Sequence, residues 1–165
     1  MTESILEQDS PMTLFRRFLV LQALMLWQGG FFFYASFVVP VGTDVLGGSF
    51  EQGRITRFVT QSINWIGLAA ILIFAWDLLS TPPRSSKLKW VLWGSWLVMA
   101  AGLAALFLLH PRLMELVDFE TMSYHDRKQF RFYHRTYLWV STFQWAAGLV
   151  YAFTIVWAWK RADRT

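Results

Sequence analysis

The sequence contains three histidines, His110, His125 and His134, and no cysteine. Imidazole nitrogens together with carboxylates would suit zinc, copper or iron. The spacing of the histidines matches neither H-x3-H nor HExxH, so a metal site would require loops that bring them together. A haem held between His110 and His134 is a second alternative, although bis-histidine ligands usually lie within helices. The simpler alternative is that all three are solvated or interface histidines.

Other polar side chains interrupt long apolar runs, where Asn64 and Gln144 would each lie about 10 Å inside a helix at 1.5 Å per residue. Polar side chains in membrane helices tend to face the interior of the bundle and to mark a site or pathway. We therefore predict a polar vestibule at one end of the bundle, lined by Tyr34, Asn64, His134, Ser141 and Gln144. The alternative is that these groups only join neighbouring helices, for about 0.6–2 kcal/mol per hydrogen bond.

Four apolar runs must position these groups. Each is long enough to cross a hydrocarbon core of roughly 30 Å as a helix. The predicted spans are residues 18–41, 58–79, 90–109 and 137–159, with a polar tail over 1–15 and loops over 42–57 and 111–135. Pro40 is predicted to end or kink the first span, and Pro82 with Pro83 to stop the second. Since helices satisfy their own backbone, the pattern predicts an all-α, integral membrane four-helix transmembrane bundle, formed as a single transmembrane domain over residues 1–165.

The composition favours the same architecture. Of the 165 residues, 55% are hydrophobic and only 16% are charged, whereas soluble domains carry about 25% charged residues. The net charge of +4 lies beside the apolar runs, which favours a lipid bilayer over nucleic acid as the partner. Lys and Arg residues on the side of the termini are the closer ones to the spans. We predict a multi-pass protein of the cell (plasma or inner) membrane with both termini in the cytoplasm.

A basic stripe precedes the fourth span. Residues 127, 131 and 135 are spaced as i, i+4, so they share a helical face, and aromatic residues lie between them. Such a stripe in water would be a candidate surface for nucleic acid, but beside a span it favours contact with lipid phosphates or an acidic loop of a partner. The predicted lipid-headgroup contacts are Arg127, Lys128, Arg131 and Arg135.

Three segments resemble the transmembrane-protein-205-like proteins, a family of four-span membrane proteins that carry a domain of unknown function. They are WQGGFFFYASFVVPV (27–41), EQGRITRFVTQSINWIGLAAI (51–71) and FRFYHRTYLWVSTFQWAAGL (130–149). The resemblance implies the four-span topology and makes four residues motif positions: Gly30, Pro40, Arg54 and His134. Copper-resistance-D-like membrane proteins are a more distant resemblance, which favours the metal hypothesis.

Three functions therefore stand beside one another. The chain lacks GxSxG, P-loop and GxGxxG motifs, so no catalytic residue and no cofactor is predicted, and a non-enzymatic role is favoured. The first hypothesis is an accessory or small-solute- or ion-handling component with a polar vestibule, acting alone, as a homo-oligomer or with a membrane-complex partner. The second is a metal- or haem-binding membrane protein using His110, His125 and His134. The third is a purely structural subunit of a membrane complex.

Overall fold

The computed structural model describes residues 11–80 and 85–164, and 89% of it is helical. Four helices form the fold: α1 (Pro11–Leu46), α2 (Ser49–Ser80), α3 (Ser86–Glu115) and α4 (Arg127–Ala162). A short antiparallel hairpin of β1 (Val117–Asp118) and β2 (Ser123–Tyr124) connects α3 to α4. The predicted all-α class is confirmed, and each helix is long and apolar enough to cross a membrane.

The helices run well past the predicted spans, which corrects the predicted loops. Residues 42–57 were expected to be a connection, yet only Gly47 and Gly48 separate α1 from α2. The loop predicted over 111–135 is reduced to the hairpin region, because α3 continues through Pro111 and α4 begins at Arg127. The predicted tail is helical from Pro11 onward, and its first ten residues lie outside the described part of the chain, as do Pro82, Pro83, Arg84 and Thr165.

Local signals explain these boundaries. Gly47 has φ +79°, a left-handed conformation that ends α1 and that glycine adopts without a Cβ penalty. Asp126 caps α4, since its carboxylate accepts hydrogen bonds from the amides of Lys128 and Gln129 at 2.8 and 2.9 Å. Pro40 does not end α1, because a π-helical turn over Tyr34–Val38 directly precedes it. The wider turn accommodates a residue that cannot donate to the helix.

Large apolar side chains cover the outside of the bundle. Exposed fractions reach 63% for Leu72, 64% for Phe143 and 74% for Phe153 at mid-helix positions. A soluble monomer rarely presents contiguous apolar surface of this kind to water. The outward apolar faces together with the helix lengths indicate a membrane protein.

The core is built around a row of aromatic rings between α1, α2 and α4. Phe74 stacks on Tyr151 with ring centroids 4.8 Å apart, and the Trp27 ring lies tilted to Phe74 at 6.4 Å. Trp27 fits there because Gly67 leaves room for its indole. A Cβ atom at position 67 would approach that ring to 2.6 Å. Leu92, Met99 and Leu103 of α3 complete this cluster.

Gly67→Ala should therefore destabilise the protein, because the buried indole of Trp27 would have to move. Overpacking of this kind costs about 1–3 kcal/mol. The measurement is the thermal midpoint in detergent micelles or nanodiscs. Gly94→Ala is the matched control, since a Cβ atom there meets nothing within 4 Å. Equal midpoints for the two variants would contradict the close contact of α1 with α2.

Candidate functional site

A cavity of about 400 Å³ opens between the ends of the four helices on the side of the hairpin. We call it the helix-end cavity. Its polar lining comes mainly from α2, α3 and the start of α4, and includes Gln52, Thr56, Arg57, Thr60, His110, His134 and Tyr137. Its volume falls in the range of about 300–1,000 Å³ that small-molecule sites occupy.

An aromatic row forms one wall of this cavity. Phe50 of α2 lies 4.7 Å from Tyr124 of the hairpin, and Tyr124 lies 4.7 Å from Phe130 of α4, between ring centroids. Phe130 in turn stacks on the ring of His134 at 5.6 Å. The hairpin thus closes this side of the cavity through the contacts of Tyr124 with α2 and α4. The site depends on the register of β1 with β2, in which Val117 pairs with Tyr124.

Hydrogen bonds hold the floor of the cavity. The Tyr34 hydroxyl donates to the Thr56 hydroxyl at 2.9 Å, and the amide of Gln52 donates to the Tyr34 oxygen at 3.3 Å. On the opposite side, the Asn64 amide donates to the Tyr137 hydroxyl at 3.2 Å. Tyr34 and Asn64, two predicted vestibule residues, are therefore buried supports of the cavity through these partners.

The other predicted vestibule residues are divided between two depths. His134 lines the helix-end cavity and is exposed, whereas Ser141 and Gln144 are buried further along α4. The Gln144 amide donates to the carbonyl oxygen of Met99 at 3.0 Å, which joins α4 to α3. The predicted vestibule residues of α4 are thus distributed over a cavity and an interhelical contact.

Three buried polar atoms in the interior have no hydrogen-bond partner within the described residues: the Ser141 hydroxyl, the Tyr151 hydroxyl and Oε1 of Gln28. Ser141 and Tyr151 both face inward from α4. Gln28 of α1 lies over Gly148 of α4. A Cβ atom at position 148 would come within 2.5 Å of the Gln28 carboxamide. The interior of the bundle therefore keeps polar groups that interhelical hydrogen bonds do not use.

The three histidines are distributed over two cavities. His110 and His134 both line the helix-end cavity, and Nε2 of His110 donates to the Arg57 carbonyl oxygen at 3.1 Å. His125 is exposed on the hairpin side. Among residues 11–80 and 85–164, no three His, Asp or Glu side chains are grouped as ligands of a metal ion. The metal and haem hypotheses stay predictions.

A second cavity of about 560 Å³ lies between α2, α3 and the hairpin. We call it the hairpin cavity. It is acidic, with Glu115, Asp118 and Glu120 in its lining. The Asp118 carboxylate accepts from the amides of Glu120 and Thr121, and its hydrogen bonds to Thr121 and Glu120 hold its pKa below the usual value. This carboxylate therefore stays ionised and orders the hairpin turn at neutral pH.

The predicted lipid-headgroup residues form an exposed stripe at the start of α4. All four are exposed, and none of them forms an ion pair with another described residue. This arrangement leaves their charges available to an external anion. The contact with lipid phosphates itself stays a prediction.

Sequence reasoning missed two arginines that the structure makes prominent. Arg57, expected to be an ordinary residue of a loop, lines both cavities. Arg16, expected to be a charge flanking the first span, is buried and its Nε donates to Asp77 at 2.7 Å. The signal that could have identified the second was Asp77 itself, an acidic residue near the end of an apolar run that needs a cationic partner.

Replacing Asp77 by Ala should be strongly destabilising, because the buried Nε of Arg16 would lose the carboxylate that accepts its hydrogen bond. Loss of one partner of a buried pair typically costs about 3–5 kcal/mol. Arg17 and Asp163, 2.6 Å apart with the Asp163 side chain 45% exposed, provide the matched control. Asp163→Ala should cost less than about 1 kcal/mol. The measurement is the free energy of unfolding in detergent micelles. An equal decrease for the two variants would show that Asp77 is solvated rather than buried.

Comparison of the chain with models of protein families, with curated proteins and with solved structures found no match. The resemblance to the transmembrane-protein-205-like family therefore remains a prediction, and the function has to be argued from the geometry alone.

Proposed function

We propose that this chain is a four-span integral membrane protein whose helices form one transmembrane bundle. The support is the set of four long helices with apolar outer faces. The ion pair of Arg17 with Asp163 joins the first part of α1 to the residue after α4, so the start of α1 and the end of α4 lie at one end of the bundle. The basic residues nearest the spans favour the cytoplasmic side of the plasma or inner membrane for that end.

A topology experiment tests this proposal. A reporter that is active only in the cytoplasm, fused after Thr165, should be active. The same reporter inserted in the turn between β1 and β2, which belongs to the opposite end of the bundle, should be inactive. A reverse pattern would overturn the orientation, and equal activity at both sites would overturn the membrane-spanning bundle.

Within that bundle, the proposed role is non-enzymatic binding of a small molecule in the helix-end cavity. The observation that carries it is a cavity of about 400 Å³ that all four helices and the hairpin enclose. Its wall combines apolar side chains with a few convergent polar groups, as is typical of small-molecule sites. This role agrees with the predicted accessory or small-solute-handling component, and with the four-span topology that the family resemblance implies.

A purely structural subunit is the second candidate, and one observation favours it. The side-chain amides of Asn64 and Gln144 each donate a hydrogen bond to a neighbouring helix. The acceptors are the Tyr137 hydroxyl and the Met99 carbonyl oxygen. Such bonds explain polar residues in apolar helices without any ligand. They do not explain the cavity, whose polar lining points inward at the end of the bundle.

Filling the cavity tests the binding role. Gly53 lines the cavity, and a Cβ atom there would meet only the Phe119 ring at an ordinary 3.5 Å. Gly53→Leu should therefore fold and occupy the space of the ligand. In phosphatidylcholine nanodiscs, dodecanol should bind the unaltered protein, measured by calorimetry, and bind Gly53→Leu at least about tenfold more weakly, a difference of about 1.4 kcal/mol.

Gly94→Leu is the matched control for this experiment, because position 94 faces open space on α3. It should bind dodecanol like the unaltered protein. Binding that is unaffected by Gly53→Leu, or absent from every form of the protein, would leave the structural role as the better account.

A further inference from the structure

Arg57 lies in the partition between the two cavities. The partition residues that line both cavities are Arg57, His110, Met114, Val117 and Phe119. The guanidinium carbon of Arg57 is 4.4 Å from the ring centroid of Phe58 and 4.8 Å from that of Phe119. Contact with two aromatic rings holds the planar group in place, which is a use of arginine that lysine does not reproduce.

The charge of Arg57 has no anionic partner in the described part of the chain. The ion pairs found there involve Arg16, Arg17 and Arg112, and Nε of Arg57 is buried without a hydrogen-bond acceptor. Burying polar atoms of a charged group without an acceptor is costly. The contacts to the two rings offset only part of that cost, since they satisfy none of the N–H donors.

The two cavities differ in charge. The hairpin cavity presents three carboxylates, and these repel an anion. Among the described residues that line it, the helix-end cavity has no Asp or Glu, and Arg57 is the one arginine or lysine, beside His110 and His134. The His110 ring is already fixed, because its Nε2 donates to the Arg57 carbonyl. The described lining of the helix-end cavity therefore offers an anion the cation Arg57 and no carboxylate, whereas the hairpin cavity offers it both.

The remainder of the helix-end cavity is apolar and too large for a simple anion. Val39, Phe50, Leu113, Phe130 and Leu138 line it from the four helices. At about 30 Å³ for each water-sized group, the volume holds roughly a dozen such groups. A ligand that fits both the cation and the apolar lining has an acidic head group and an apolar portion of roughly a dozen such groups.

We infer that the helix-end cavity binds a singly headed anionic amphiphile, a carboxylate or phosphate attached to an apolar chain, through the guanidinium of Arg57. This inference rests on the proposed small-molecule-binding function and specifies the class of ligand. The same chemistry is offered by a free amphiphilic acid and by an anionic lipid of the bilayer. Arginine recognises both head groups through paired N–H donors.

Binding to the full chain in phosphatidylcholine nanodiscs tests the inference. The probes are dodecanoate, dodecyl phosphate, dodecanol and inorganic phosphate, compared by calorimetry at one pH and salt concentration. The two acidic amphiphiles should bind at least about tenfold more tightly than dodecanol, since an arginine–anion contact is a charge-assisted hydrogen bond. Arg57→Gln should remove that preference, so that the two acidic amphiphiles bind no more tightly than dodecanol.

Two arginine variants serve as controls. Arg54→Gln removes an exposed arginine one turn earlier on α2, outside both cavities, and should leave the preference intact. Arg57→Lys keeps the charge without the planar fork and should retain a weakened preference. It keeps the test decisive if Arg57→Gln does not fold, because full retention of the preference in Arg57→Lys would contradict recognition by the planar guanidinium.

The outcomes separate this inference from the function on which it rests. Equal binding of dodecanol and dodecanoate would overturn the inference and leave the binding function standing. Failure of every probe would overturn the function itself. Binding of inorganic phosphate as tight as that of dodecyl phosphate would exclude a role for the apolar chain. Loss of dodecanoate binding on replacing part of the bilayer by phosphatidylglycerol would identify a bilayer lipid as the source of the ligand.

Discussion

Polar groups on helices with apolar outer faces have few places to go, and this constraint organises the bundle. With apolar side chains covering the outside, the interior is where amide, hydroxyl and charged groups find partners. The buried contact of Arg16 with Asp77 at one end and that of Asn64 with Tyr137 toward the other are two results of it. The first joins α1 to α2 and the second joins α2 to α4, so polar contacts help to determine which helices are neighbours.

Much of the fold followed from this constraint as it is written in the sequence. Long uncharged runs predict four helices, and residues 11–80 and 85–164 form four long ones. The helix ends were less predictable, because the ends are polar and look like loops. Residues 42–57 contain glycine and charged residues, yet Gly47 alone supplies the left-handed turn, and charged residues such as Arg57 continue in the helix on either side. A polar composition indicates that a segment contacts water. It does not distinguish a loop from the end of a helix that extends beyond the apolar layer.

The sequence predicts a polar site at one end of the bundle, and only some of the residues predicted for it line the helix-end cavity. Tyr34 and Asn64 were expected to line a vestibule, and they hold its polar wall from behind. Gln52, Thr56 and Arg57 lie in a segment whose glycines and charges predict a loop, and a loop gives no helical periodicity from which a shared face could be predicted. The hairpin that closes the cavity depends on a two-residue strand pairing, which is too short to leave an alternating pattern.

The two π-helical turns of α1, over Met25–Gly29 and Tyr34–Val38, have a consequence for the cavity wall. A π turn contains about one residue more than an α turn, so converting one to regular α-helix would rotate everything beyond it by about 100°. Trp27 is fixed in its notch at Gly67, and the rotation would therefore fall on the segment that ends with Val39 and Thr43 at the cavity. A change of one residue in the winding of α1 would therefore exchange the side chains that this helix presents to the cavity.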